Sequence, residues 1–273
     1  MLDALSYEFI QNAIIAGVLV SIASGIIGSL IVVNRMVFLA GGIAHTSYGG
    51  IGLAVYFGFP IFLGASLFSV AAALLIAFIT INKKHHTDTF IGFIWAVGMA
   101  IGILFIDLTP GYNVDLMSYL FGSILAVSRE DLYFMICLVI SIVIFVSFWY
   151  RDILAVSYDS EYASLRGVNV KTFYTLILVL SALTVVIAIK VVGLILVIAL
   201  LTIPIHIAEK ISNSLNSMMI YSSIISSLFT FIGLYISYNF DITSGASIIL
   251  VSAVSLTIFL IIYKIKKTIF TTI

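Results

Sequence analysis

The chain has 273 residues, 63% of them hydrophobic and 9% charged, with a mean hydropathy of +1.28, which excludes an ordinary soluble domain and describes a polytopic membrane protein. Twelve basic and twelve acidic residues leave no net charge, so nothing points to nucleic acid or an acidic polymer as partner. A single cysteine, Cys137 in an apolar run, excludes an internal disulfide and a cysteine metal cluster.

The N-terminal MLDALSYEF carries Asp3 and Glu8 where a cleavable signal has basic residues, and the apolar stretch behind it is too long for a signal core. It is expected to remain as the first membrane helix. At roughly 20 residues per crossing, apolar windows run over 9–33, 37–58, 61–81, 90–108, 131–150, 173–189, 191–207, 216–237 and 246–263. These predict nine transmembrane helices in an all-α fold. The sixth and seventh are divided only by Lys190 and allow a single broken or re-entrant unit, which would make eight. Segment 109–128, TPGYNVDLMSYLFGSILAVS, opens with turn chemistry and reads as an outer loop followed by a re-entrant or surface helix. Without a linker or an internal repeat, residues 1–273 read as one transmembrane domain, with 151–172 as its long inner loop.

Charge orients the chain. With the N-terminus outside and the C-terminus inside, inner loops hold Arg35, Lys83, Lys84, Arg151, Arg166, Lys171, Lys210, Lys264, Lys266 and Lys267, and only Arg129 and Lys190 lie outside. That is a strong positive-inside bias. The outer face collects Asp3, Glu8, Asp107, Asp115, Glu130, Asp131 and Asp241, an acidic mouth that favours arriving cations.

Four stretches carry chemistry. In FLAGGIAHTSYGGIG, residues 38–52, helical spacing aligns Gly41, His45, Gly49 and Gly52 on one stripe. Small residues let helices approach closely, so His45 is expected to face protein or a water-filled path, and ionisable groups at membrane depth mark pathways. The alternative is a hydrogen-bonded packing histidine. In NKKHHTDTF, His85, His86 and Asp88 resemble a metal cluster only superficially. In LILVIALLTIPIHIAEKI, residues 194–211, Thr202, His206 and Glu209 recur at helical spacing beside Pro204, which is expected to break the helix and free a carbonyl near Leu200; the alternative is a solvated helix end. In SYNFDITSGAS, residues 237–247, Asp241 is expected to cap the last helix or line the outer mouth, and Gly245 to permit a sharp turn.

The inner loop YRDILAVSYDSEYASLRGVNVKTF, residues 150–173, offers Ser157 and Asp159 as N-caps and Gly167 as a C-terminal stop. A short surface helix there suits docking of a cytoplasmic partner, the alternative being a solvated connector. No GxxxxGK[ST] loop, HExxH or paired-cysteine signature is present, so the chain is not expected to hydrolyse ATP by itself.

Five motifs in order resemble the permease subunits of ABC importers for zinc, manganese and iron, the ABC-3 group. They are NRMVFLAGGIAHTSYGGIGLAVYFG, DTFIGFIWAVGMAIGILF, SYLFGSILAVSREDL, AVSYDSEYASLRGVNV and VVGLILVIALLTIPIHIAE. The resemblance implies a type II importer-like permease in the inner (cytoplasmic) membrane of a prokaryote, working as a homodimer by alternating access. It implies cytoplasmic ATPase subunits that bind the ATP, an extracytoplasmic metal-binding protein that delivers a divalent metal ion, and no permanently bound cofactor. The coupling helix would comprise Asp159, Ser160, Glu161, Ala163, Arg166 and Gly167. His45 matches the family's metal-path histidine, while the aspartate one turn earlier falls on Gly41. His206 stands where the family has a small residue, and Asp-x-Pro-x-Gly survives as Asp241 to Gly245 with Thr243 in place of proline. These departures lead to an expected metal set of His45, His206 and Asp241, with His206 replacing part of the lost carboxylate. Imidazole suits zinc and iron better than manganese, which favours zinc. An ion-coupled secondary transporter is the competing function, since it too would use His45, Asp241 and a broken helix.

Overall fold

The computed structural model describes residues 7–80, 87–110 and 120–271, without the side chains of 87, 88 and 267–271. The regular structure among them is helical: α1 (Glu8–Val33), α2 (Val37–Phe57), α3 (Ile61–Thr80), α4 (Thr87–Asp107), α5 (Arg129–Phe148), α6 (Tyr150–Tyr158), α7 (Ser160–Leu165), α8 (Val170–Val192), α9 (Val197–Leu200), α10 (Ile203–Ile211), α11 (Leu215–Phe240) and α12 (Ser244–Thr271). In a bilayer each backbone N–H and C=O must be paired within its own segment, and the helix achieves this. Local chemistry sets many ends. Ser128 and Asp131 form a reciprocal capping box at α5, Ser214 and Ser217 do the same at α11, and α2 stops at Gly58 in the left-handed conformation before Pro60.

Seven helices among the described residues are long and apolar enough to cross a membrane: α1, α3, α4, α5, α8, α11 and α12. Helix α2 has the length, at 21 residues, but glycines and the run His45-Thr46-Ser47 make it less apolar. It is also well enclosed, with fourteen residues buried. The helices pack through small residues, as they must where lipid offers no hydrophobic drive to association. Along α1 and α11, Ser21 meets Thr230 at 3.2 Å and Ser29 meets Ser222 at 3.3 Å, while a Cβ at Gly25 would lie 2.2 Å from the Ser223 hydroxyl.

The continuous helix expected over 191–207 is not formed. Helix α8 runs through Lys190 to Val192, and the chain turns at Gly193, whose φ of 85° and ψ of 164° favour glycine. Two short helices, α9 and α10, follow. Gly193 packs on Phe121 and Gly122, Ile198 meets Gly41, Leu201 and Ile205 meet Gly28, and Ile205 joins Met218 beside Val33. Residues 193–211 therefore run from one end of the bundle to the other in broken form. Pro204 lies in the first turn of α10, where its missing N–H costs nothing, so the break falls before it, between Leu200 and Ile203.

The bundle has two chemically distinct ends. At one, Glu8 pairs with Arg129 at 2.5 Å and Asp131 with Lys190 at 3.1 Å. There the segment expected to be re-entrant inserts a 3-10 turn, Ile124–Ala126, with Ile124 fully buried. Ser123 N–H donates to the Lys190 carbonyl and Ile195 N–H to that of Leu120. At the other end, Asn34 donates to the Ser157 hydroxyl at 3.0 Å and Thr80 meets Tyr174 at 3.0 Å.

Candidate functional site

The seam between α2 and α4 is built on glycine. Positions 42, 45, 49 and 52 of α2 face 91, 95, 98 and 102 of α4, both sets at helical spacing. A Cβ at Gly52 would lie 2.3 Å from the Gly102 carbonyl oxygen, and one at Gly49 would lie 2.7 Å from that of Gly98. The backbones thus meet directly, and within this glycine seam His45 and Trp95 set one ring against another.

His45 stacks face to face on Trp95, with ring centroids 4.2 Å apart and planes 10° from parallel. Trp95 is itself held: its Nε1–H donates to the Met99 sulfur at 3.2 Å, and Phe38, two turns before His45 on α2, lies 6.1 Å away at a tilt of 50°. The His45 Nδ1 atom is buried and has no hydrogen-bond partner. Leaving a buried polar atom unpaired costs about 1–3 kcal/mol. An unpaired imidazole nitrogen is a ready ligand for a divalent transition metal.

The predicted glycine stripe divides between two neighbours. Gly49 and Gly52 face α4, whereas Gly41 turns to the broken segment, where a Cβ would lie 2.6 Å from Ile198 Cδ1. His206 stands on α10 with its Nδ1 3.2 Å from Glu209 Oε2, both side chains half-exposed, near the Val33 end. The helical spacing of His206 and Glu209 is as the sequence indicates, and the two pair with each other. Asp241 lies at the opposite end and does not cap the last helix. It closes α11 in the left-handed conformation, φ 52°, with its N–H donating to the Ser237 carbonyl. Gly245 is needed for a close approach and not for a turn: a Cβ there would lie 2.5 Å from the Phe121 carbonyl oxygen.

No group of three or more His, Cys, Asp or Glu side chains among the described residues could hold a metal ion. His45, His206 and Asp241 therefore do not form one ligand set in this conformation, because they sit on different helices at three levels of the bundle. His85, His86 and the Asp88 side chain lie outside the described residues. A cleft of about 900 Å³ opens at one end between Phe59, Asp131, Phe134 and Lys190, and one of about 780 Å³ at the other between Asn34, Arg35, Ser157 and Tyr174. His45 lines neither.

The long loop folds as Asp159 and Gly167 indicate, whereas Ser157, the other expected N-cap, lies inside α6 and its hydroxyl accepts from Asn34. Asp159 Oδ1 accepts from Glu161 N–H at 3.1 Å and Tyr162 N–H at 2.9 Å to start α7, Ala163 is buried, and Gly167 (φ 80°) ends the turn. Arg166 lies 5.8 Å over the Tyr162 ring. The surface left outside carries Tyr158, Tyr162 and Leu165, the last 88% exposed.

Sequence reasoning missed Trp95, Met99 and the Lys190–Asp131 pair. The helical spacing of Gly98 and Gly102 was the available signal for the first two, since it marks the face of α4 that meets α2.

A model of the ABC 3 transport family matches residues 6–264. A membrane protein of Synechocystis is 48% identical over 255 residues, 93% of this chain and 91% of that protein. The manganese transport system membrane protein MntC of Listeria monocytogenes is 35% identical over 250 residues, 92% of this chain and 89% of that protein. Among solved structures, PsaBC from Streptococcus pneumoniae, in complex with a Fab, is similar with a TM-score of 0.84 and 32% identity, covering 94% of this chain and 93% of that one.

Proposed function

The chain belongs to the ABC 3 transport family, and from that premise we propose that it is the membrane permease of an ATP-driven importer of a divalent transition metal. Manganese is the first choice. The relatives named for manganese support it over the zinc that imidazole chemistry alone would favour. The observation that carries the reading is His45: an intramembrane imidazole kept unpaired at Nδ1, on a helix otherwise packed backbone to backbone.

The end holding Arg35, Arg151, Arg166, Lys171, Lys210, Lys264 and Lys266 faces the cytoplasm by the positive-inside rule, which leaves the N-terminus outside and the C-terminus inside. The chain then passes the membrane nine times, with α9 and α10 forming the broken seventh pass. Cargo arrives from an extracytoplasmic metal-binding protein at the acidic outer end beside Asp241, engages His45, and leaves past His206 and Glu209. Residues 151–172 form the docking loop for the ATPase subunits. Asp159, Ser160 and Glu161 start its coupling helix, Ala163 anchors it, Arg166 and Gly167 end it, and Tyr158, Tyr162 and Leu165 offer apolar contact. ATP is hydrolysed on those subunits, and the motion reaches a permease homodimer as alternating access. The position of His45 away from both clefts suits an arrangement that must open to one side at a time.

The test is uptake of manganese, zinc and iron by vesicles containing the permease with its ATPase and binding protein. ATP-dependent manganese uptake that His45→Ala abolishes, at unchanged expression, is the expected result. Normal uptake by His45→Ala would remove the histidine from the path. Uptake driven by a proton gradient in vesicles holding only this chain would replace the importer with a secondary transporter.

A further inference from the structure

We propose that Trp95 is a positioning residue for metal passage: its indole covers one face of the His45 imidazole and fixes the ring plane, which leaves the nitrogen-bearing edge uncovered by the indole for an incoming cation. The inference rests on the reading of His45 as a metal ligand and goes beyond it by naming what orients that ligand. Metal-binding histidines are commonly oriented by a hydrogen bond from the second ring nitrogen to a carboxylate or carbonyl. Here Nδ1 has no hydrogen-bond partner, and the carboxylate that the family resemblance places one turn earlier is replaced by Gly41. What does hold the ring is an aromatic face, 4.2 Å away and nearly parallel.

Three observations make Trp95 a fixed support and not a passive neighbour. Its Nε1–H is tied to the Met99 sulfur one turn along α4, which sets the rotation of the indole. Phe38 lies 6.1 Å from it at a tilt of 50°, so the indole meets rings two turns apart on α2, Phe38 and His45. The backbone contacts of Gly49 with Gly98 and of Gly52 with Gly102 prevent the two helices from drifting apart. A nitrogen ligand binds its metal in the ring plane. A support pressed against the ring face therefore blocks rotation without competing for the ligand site.

The chain contains two tryptophans, Trp95 and Trp149, which makes the arrangement measurable. In the full transporter complex in nanodiscs, with Trp149→Phe as background, manganese(II) is expected to quench Trp95 emission saturably, and His45→Ala to abolish the saturable part. In uptake assays, Trp95→Ala is expected to raise the KM for manganese about three- to tenfold, the range an aromatic pair is worth. Trp95→Phe, which keeps a stacking ring and loses only the sulfur contact, is expected to stay within about twofold of wild type. If His45→Ala abolishes uptake while Trp95→Ala leaves KM unchanged, the positioning role is overturned and the ligand reading stands. If His45→Ala takes up manganese normally, the ligand reading itself falls. Should Trp95→Ala fail to fold, unsaturable, purely collisional quenching in the Trp149→Phe background would still overturn the proposal.

Discussion

A half-buried imidazole whose Nδ1 is enclosed without a partner is a cost that folding does not require. Removing it relieves about 1–3 kcal/mol of unmet polarity and forfeits about 0.5–1.5 kcal/mol of stacking on Trp95. His45→Ala is therefore expected to unfold within a few degrees of the wild-type Tm in detergent while manganese uptake is lost. His206 behaves differently. Its pair with Glu209 is half-exposed and three residues apart on a nine-residue helix, a geometry worth about 0.2–0.5 kcal/mol. His206→Ala is expected to leave Tm unchanged and to slow uptake far less than His45→Ala, which the same assay measures. Both histidines were visible in the sequence as polar residues in apolar surroundings, but only the structure separates the one whose Nδ1 is buried without a partner from the one that answers a carboxylate on its own helix.

Between elements, glycine positions differ by what stands opposite. At Gly52 a methyl group would strike the Gly102 backbone, which cannot yield without separating α2 from α4, so Gly52→Ala should destabilise by about 1–3 kcal/mol. At Gly41 the obstacle is the tip of the Ile198 side chain, which can rotate away, so Gly41→Ala should leave Tm within a few degrees. Thermal unfolding of the two variants side by side checks the contrast. Gly193→Ala combines both penalties, a backbone conformation that disfavours side chains and a Cβ 2.3 Å from the Phe121 carbonyl carbon. It is expected to be the most damaging of the three, seen as loss of monodisperse protein on size-exclusion chromatography. The helical stripe legible in the sequence marked these glycines as packing residues without ranking them, because rank depends on an atom in another helix.

Across the whole molecule, charge and apolar exposure divide the work between the two ends. The end that holds Asn34 and Ser157 carries most of the basic residues and the α6–α7 surface, with Leu165 almost fully in solvent. A leucine so exposed contributes little to folding, so Leu165→Asp is expected to leave Tm and expression unchanged while co-purification of the ATPase subunit falls. At the opposite end the Ile124–Ala126 turn, the Lys190–Asp131 pair and the glycine contacts at 122, 193 and 245 come together. These parts come from three separate stretches of sequence, 122–131, 190–193 and 245, and their assembly at one end of the broken pass is the least local feature of the fold.

The sequence by itself determined that the chain is a helical membrane protein, where most long helices run, and that Asp159 and Gly167 bound a short surface helix. Each follows from composition, apolar length or a cap a few residues away, all local quantities. Only the tertiary structure decided that residues 191–211 form two short helices, that Asp241 closes the helix before it and not the one after, and that His45 stacks on Trp95. Those outcomes depend on contacts across large sequence separations: Gly193 against Gly122, Gly245 against Phe121, an imidazole against an indole fifty residues away. Such contacts leave no periodicity in the strand of residues on either side, because the close approach that creates them is set by which helix backbones meet.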